Sequence, residues 1–338
     1  MPRLTLSFIS GFNERVQPLM DGTIQPEGLE LVPTYSHPSE TFWRQLKFQE
    51  FEIAEMSLSS YLIARSRGVA DMVALPVFPS RLLFHTWLAV PVDSAVREPG
   101  HLAGKRIGVP EYQMTAALWM RGILEHDFGV SQYKVDWYME RTEQLSHGGV
   151  TGFTPPPGIS FHRIPPDKSM ASMLIEHELE AALVNTPLLR APSALDRSNR
   201  ILGSGGDESK IKPLFPDPIA EGTRFFGKHG FMTPNHSYII RGDIHRKYPW
   251  VAFNLYTAFV KAKALAQEKL AECIPSALFF GPEYLAMTRN ILGADPFPYG
   301  VTANRPMLEL LTDYSHEQGL TARKMKVEEL FAESTLAL

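Results

Sequence analysis

The chain has 338 residues, 44% apolar and 21% charged, which is ordinary globular usage and excludes a disordered polymer. Lys and Arg total 33 against 37 Asp and Glu, a formal charge of −4, so the basic excess of a nucleic-acid or anionic-membrane surface is absent. One cysteine, Cys273, excludes a disulfide framework and any multi-thiolate metal centre.

Residues 4–9 read as a first strand that ends in the polar turn Ser10-Gly11-Phe12-Asn13-Glu14-Arg15. A helix from about Glu14 would carry Val16, Leu19 and Met20 on one face and stop at Asp21-Gly22. Residues 29–32 form a second short strand and 41–48 a helix. Residues 52–55 lead into Met56-Ser57-Leu58-Ser59-Ser60-Tyr61, a strand end feeding a helix N-terminus. The apolar runs 70–77 and 86–92 have strand length and suit a sheet covered on both faces. A turn and strand at 102–110 precede a helix over 115–128. Residues 146–166, rich in Gly and Pro, read as a long irregular connection. A helix over 169–179 and a strand over 181–184 end at Asn185-Thr186-Pro187. Residues 202–236 are loop-like, 237–240 a strand, and the remainder from about His245 mostly helical.

Strands alternating with helices predict an α/β fold with largely parallel sheets. Two βα clusters precede the helical tail. The expected division is a first lobe of 1–92 plus 239–338, completed by the C-terminal helices, and a second lobe of 93–238. Ligands in open α/β sheets sit beyond the carboxyl ends of strands, which directs attention to the loops there. No apolar run approaches the ~18 residues of a membrane span, and the N-terminus lacks the pattern of a secretion signal. The expectation is a soluble, cytoplasmic protein.

No dinucleotide fingerprint, phosphate loop or nucleophile elbow is present, and Gly203-Ser204-Gly205-Gly206 reads as a flexible turn. Arg15 and Arg81 follow strand ends, and a guanidinium fork there matches a carboxylate; for either one alone a surface arginine paired with a nearby acid is the commoner case. Ser57, Ser59 and Ser60 offer hydroxyl donors or simple helix caps. His85 and His236 sit beside aromatic or apolar neighbours in the loop regions and are proton-transfer candidates or hydrogen-bonded structural histidines. Glu14 and Glu55 are candidate acids or bases. Phe12, Tyr61, Phe78, Trp119 and Phe226 offer flat walls for a ring, or core.

Read together, these segments resemble a known family. The opening 11–15, with Asp21-Gly22 and Pro26-Glu27-Gly28-Leu29-Glu30-Leu31, is similar to the start of 4,5-dihydroxyphthalate decarboxylase-like proteins. So are Glu55-Met56-Ser57-Leu58-Ser59-Ser60-Tyr61, Pro76-Val77-Phe78-Pro79-Ser80-Arg81 and Leu102-Ala103-Gly104-Lys105-Arg106-Ile107-Gly108. The match closes with Pro298-Tyr299-Gly300-Val301, Asn304-Arg305 and His316-Glu317-Gln318-Gly319-Leu320-Thr321. One departure stands at the first loop, where the family's Tyr-Asp-Arg-Thr is replaced by Phe12-Asn13-Glu14-Arg15-Val16, losing the phenol and the aspartate.

The resemblance implies a two-lobed fold like that of type II periplasmic binding proteins, with a ligand cleft between lobes. It implies non-oxidative loss of carbon dioxide from a hydroxylated aromatic acid: a para hydroxyl pushes electrons, the carboxylate-bearing carbon is protonated, and carbon dioxide leaves as aromaticity returns. Arg15 and Arg81 would then anchor carboxylates, with Ser57, Ser59 and Ser60 as neutral donors and Phe12 and Tyr61 as walls. His85 and His236 would move protons, with Glu14 and Glu55 orienting them or holding phenols. The hydroxylated ring is its own electron sink, so no cofactor is expected, although His and Glu from separate loops leave a divalent metal open. The expected partner is a small aromatic acid, with no nucleic acid and no membrane, and self-association is open. The main alternative is a non-catalytic solute-binding protein for a small aromatic or aliphatic acid. A second is an enzyme of another class on the same scaffold.

Overall fold

The computed structural model describes residues 3–184 and 208–338; the predicted turn at 185–187 and the glycine segment at 203–206 lie outside them. The chain begins β1 (Leu4–Ser10), α1 (Gln17–Met20), β2 (Leu29–Tyr35), α2 (Pro38–Phe48), β3 (Ile53–Ser57), α3 (Leu58–Arg67) and β4 (Met72–Leu75). It crosses into β5 (Leu88–Pro91), β6 (Arg106–Val109), α4 (Thr115–Phe128), β7 (Asp136–Met139), α5 (His147–Thr151), β8 (Ser160–Arg163), α6 (Met170–Ile175), β9 (Ala181–Leu183) and β10 (Ile211–Pro213). After α7 (Pro218–His229) it returns through β11 (His236–Arg241). It ends in α8 (Gly242–Lys247), α9 (Trp250–Ala277), α10 (Gly281–Leu292) and α11 (Arg305–Glu317).

Two sheets result, ordered β2-β1-β3-β11-β4 and β10-β5-β9-β6-β7-β8. The pairs β1–β2, β1–β3, β6–β7, β6–β9 and β7–β8 are parallel. β11 runs antiparallel to β3 and β4, and β5 antiparallel to β9 and β10. This is the two-lobed α/β architecture that the alternation predicts. The crossings lie earlier than expected: residues 88–91 belong to the second sheet and residue 236 already to the first. Apolar runs alone cannot fix this, because either sheet can take a short buried strand.

Three connections hide elements that sequence periodicity missed. The Gly/Pro-rich stretch 146–166 contains α5 and β8, β7 forms an inner strand of the second sheet, and β10 forms an edge. The predicted first helix shrinks to α1, since Asn13 to Val16 form a hydrogen-bonded turn instead.

The C-terminal helices brace both sheets. Along α9, Val251, Leu255 and Phe259 pack on Leu6, Phe8 and Tyr238 of the first sheet. Helix α11 crosses to the second: Tyr314 lies against Trp119 of α4, and Arg121 Nε donates to Gln318 Oε1 at 2.9 Å. The fully buried Trp119 donates its indole N–H to the Pro234 carbonyl at 2.8 Å, which fixes the segment entering β11.

Candidate active site

In the order β2-β1-β3 the connections from β1 and β3 leave on different sides, and such a switch point opens a crevice at the strand ends. Residues two apart on a strand share a face. Glu55 and Ser57 therefore point together from β3, as do His236 and Tyr238 from β11. The register sets His236 opposite Ser57 and Tyr238 opposite Glu55. Glu55 and His236 are thus a diagonal cross-strand pair, and His236 Nδ1 lies 2.6 Å from Glu55 Oε1.

Both are more than nine-tenths buried. The second carboxylate oxygen accepts from the Gly11 amide at 2.8 Å and lies 3.4 Å from the Ser10 hydroxyl, which meets Tyr238 Oη at 2.7 Å. Glycine is required for that approach: a Cβ at Gly11 would fall 2.9 Å from Pro38. Burial works to raise the carboxyl pKa of Glu55. His236 and the amide and hydroxyl donors outweigh it, and the net direction is down. With Nδ1 facing the carboxylate, His236 Nε2 has no hydrogen-bond partner among the described residues. Phe42 lies edge-on to the imidazole, 4.7 Å between centroids.

Ser57 caps α3, and its hydroxyl lies 2.9 Å from Thr115 Oγ1 at the start of α4. Thr115 Oγ1 also accepts from the Ser59 amide at 3.0 Å, and Ser59 Oγ donates to the Gln113 carbonyl at 2.6 Å. The N-termini of α3 and α4, one from each lobe, therefore meet across the crevice. Ser60 Oγ lies 3.3 Å from His147 Nδ1.

His147 belongs to a group that sequence reading missed. The buried Glu111 accepts from the His147 amide at 2.5 Å and lies 3.2 Å from both His147 Nδ1 and an Arg141 guanidinium nitrogen. Arg141 also donates to Ser39 Oγ at 3.0 Å, and His147 Nε2 lies 3.2 Å from the Ser39 carbonyl. Trp43 Nε1 reaches the Gln144 carbonyl at 3.1 Å. The second lobe is thus docked on α2. The only sequence signal was that Glu111 follows the strand predicted at 102–110, since β7, which Arg141 follows, and α5, which carries His147, were not predicted.

Among the predicted residues, the structure brings together Glu55, His236, Ser57, Ser59 and Ser60. His85 lies elsewhere. It is fully buried in the second lobe, 2.6 Å from Glu221, with Phe215, Phe225 and Phe128 around its ring. Burial pulls its pKa down, against the pull of Glu221. That is the setting of a packed, paired histidine and not of a group facing the crevice.

Arg15 stacks on Phe297 at 3.7 Å, donates to the Pro79 carbonyl at 2.5 Å and pairs with the half-exposed Glu14. Arg81 donates to the carbonyls of Met232 at 3.0 Å and Pro298 at 2.8 Å, and to Asn304. Burial lowers its pKa to about 10. Each arginine leaves a buried Nε unpartnered. Their terminal nitrogens brace the segment 79–81 beside Asn235, whose amide donates to the Ser80 carbonyl at 3.0 Å. Phe12 is 82% exposed, and the buried Tyr61 hydroxyl is committed to the Leu330 carbonyl, so neither forms a wall of this cluster. Among the described residues, no three His, Cys, Asp or Glu side chains converge in a metal-binding group. No helix among them is long and apolar enough to cross a membrane.

No family model matches the chain. It is similar over its whole length to solved structures of low identity. One is the periplasmic aliphatic sulphonate binding protein SsuA of Escherichia coli, with a TM-score of 0.52, 11% identity and 100% of both chains covered. Another is the desulfurization enzyme DszB, with a TM-score of 0.52, 13% identity, 98% of this chain and 96% of that one. These establish a periplasmic-binding-protein-like fold. Among curated proteins, a 4,5-dihydroxyphthalate decarboxylase of Pseudomonas putida is 33% identical over 218 residues, 64% of this chain and 80% of the relative. A 4,5-dihydroxyphthalate decarboxylase of Comamonas testosteroni is 30% identical over 338 residues, 99% of this chain and 98% of the relative. With 30% identity to a curated member over 99% of its length, the chain belongs to the 4,5-dihydroxyphthalate decarboxylase family.

Proposed function

We propose that the protein removes one carboxylate from a hydroxylated phthalate-type acid without oxidation, converting 4,5-dihydroxyphthalate to protocatechuate and carbon dioxide. The observation that carries this reading is the similarity to the Comamonas testosteroni decarboxylase across 99% of the chain.

The chemistry needs a proton for the ring carbon that bears the leaving carboxylate. His236 is the proposed donor. Glu55 holds Nδ1, which leaves Nε2 for the crevice. Burial strengthens this pairing and keeps bulk water from competing for the proton. Arg141 is the proposed carboxylate anchor in place of Arg15 and Arg81, because its guanidinium belongs to the same crevice network. A substrate carboxylate would take the position that Ser39 holds on its fork. Ser57, Ser59 and the helix ends they start supply neutral donors. A cytoplasmic site of action belongs to the same proposal, and the exposed free thiol of Cys273 fits a reducing compartment.

Incubation with 4,5-dihydroxyphthalate, with carbon dioxide and protocatechuate followed together, tests the reading. Equimolar appearance of both is expected. Tight binding of the acid with no product would instead support the solute-binding alternative.

A further inference from the structure

Decarboxylation of a phenolic acid moves two protons: one reaches the ring carbon, and one leaves the hydroxyl whose electrons push. His236 accounts for the first. We propose that His147, reached through Ser60 and held by Glu111, takes the second; this rests on the decarboxylase reading above.

The geometry is that of a proton acceptor with a carboxylate beside the accepting nitrogen. His147 Nδ1 lies between the Ser60 hydroxyl at 3.3 Å and the Glu111 carboxylate at 3.2 Å. The Ser39 carbonyl, which can only accept, fixes the proton of the neutral ring on Nε2. Nδ1 is then the basic nitrogen, and the Ser60 hydroxyl is positioned to donate to it. Once protonated, Nδ1 meets the Glu111 carboxylate, whose own position is fixed by the His147 amide and Arg141. Ser39, Ser60 and Glu111, which meet this one ring, come from α2, α3 and the loop after β6. Phe42 joins the two candidate groups, edge-on to His236 at 4.7 Å and to His147 at 5.8 Å between centroids. Each lobe thus presents a histidine–carboxylate pair to the same crevice.

The step balances. The substrate hydroxyl gives its proton to Ser60 Oγ as the Ser60 proton passes to His147 Nδ1, and His236 Nε2 delivers its proton to the carboxylate-bearing carbon. The carbon–carbon bond breaks, its electron pair returns to the ring, and carbon dioxide leaves. The proton on His147 returns through Ser60 to the substrate oxygen, and water reprotonates His236. The sum is one carboxylate and one proton giving one arene C–H and carbon dioxide.

The test uses the full chain as wild type, His147→Gln and Ser60→Ala. It measures turnover of 4,5-dihydroxyphthalate, calorimetric binding of phthalate, and thermal melting. Phthalate carries both carboxylates and no hydroxyl, so its binding needs no proton acceptor. Loss of a proton-transfer group typically lowers turnover by about 10²–10⁴-fold. Both variants are expected to lose kcat in that range while phthalate affinity stays within about threefold. A folded His147→Gln variant that keeps kcat within about threefold of wild type overturns the proposal. So does a parallel loss of phthalate affinity, which marks a structural role. If His147→Gln does not fold, Ser60→Ala decides by the same two outcomes. Wild type that binds phthalate but releases no carbon dioxide from 4,5-dihydroxyphthalate removes the decarboxylase reading and this role with it.

Discussion

Glu55 is a carboxylate in the middle of a fully buried strand, and its charge survives there because His236, the Gly11 amide and the Ser10 hydroxyl surround it. The sign of its pH dependence follows. Its folded pKa lies below the ordinary glutamate value, so its stabilising contribution is complete above roughly pH 4.3 and fades as pH falls through that range. Glu55→Gln removes the contribution, so its melting temperature is expected to lie below wild type near neutrality. The gap should close on acidification towards pH 3, and a gap that widens would contradict the assignment. Arg81 argues the other way. Its nitrogens serve two buried carbonyls and Asn304, and a methionine there leaves those acceptors unsatisfied at about 1–3 kcal/mol. Arg81→Met is therefore expected to lower the urea midpoint, whereas a carboxylate anchor would leave the midpoint in place and raise KM. Sequence alone could not separate His236 from His85, since both sit near aromatics. Their carboxylate partners lie 181 and 136 residues away, and only the fold brings such partners together.

At the level of elements, legibility followed local signal strength. Helix α4 has a continuous apolar pattern, and its predicted bounds agree with the structure. Helix α5, which presents His147, is five residues with two glycines and has almost no intrinsic propensity. It exists because Ser146 caps it and because its partners on α2 and α3 hold it. A decisive part of the candidate site was thus invisible, being made by tertiary context. Packing between elements gives a sharp expectation at Gly122 of α4. Helix propensity alone favours alanine there by about 1 kcal/mol. A Cβ at this position would lie 2.1 Å from the Tyr314 ring, and even the ring carbon nearest the backbone would be at 2.7 Å. The ring is held against Trp119 and stacked on His126, so it has no room to retreat. Gly122→Ala is expected to destabilise the fold by about 1–3 kcal/mol in equilibrium urea unfolding. Unchanged or increased stability would show that α4 and α11 are not locked in this way.

For the whole molecule, two lobes are joined by crossings near residues 76–87 and 214–235, with α9 bracing one sheet and α11 reaching the other. The net charge of −4 gives no support to a nucleic-acid surface and is silent about Arg141, because one buried guanidinium hardly moves the total. In the structure the lobes are shut: Arg141 and His147 hold Ser39, and Trp43 holds Gln144. Entry between the lobes requires these contacts to open, and ligand binding is then expected to drive closure. The lone exposed cysteine makes this measurable. Cys273 lies on α9, and Tyr133, half exposed beside β7, offers a second labelling position as Tyr133→Cys. Energy transfer between dyes at these two positions is expected to be broadly distributed without ligand and to narrow when phthalate is added. Removing one latch by Trp43→Ala should shift the ligand-free distribution towards the open form, and saturating phthalate should bring it back. Identical distributions with and without phthalate, in both proteins, would mean that the crevice does not gate entry, and the acid would have to reach His236 by another route.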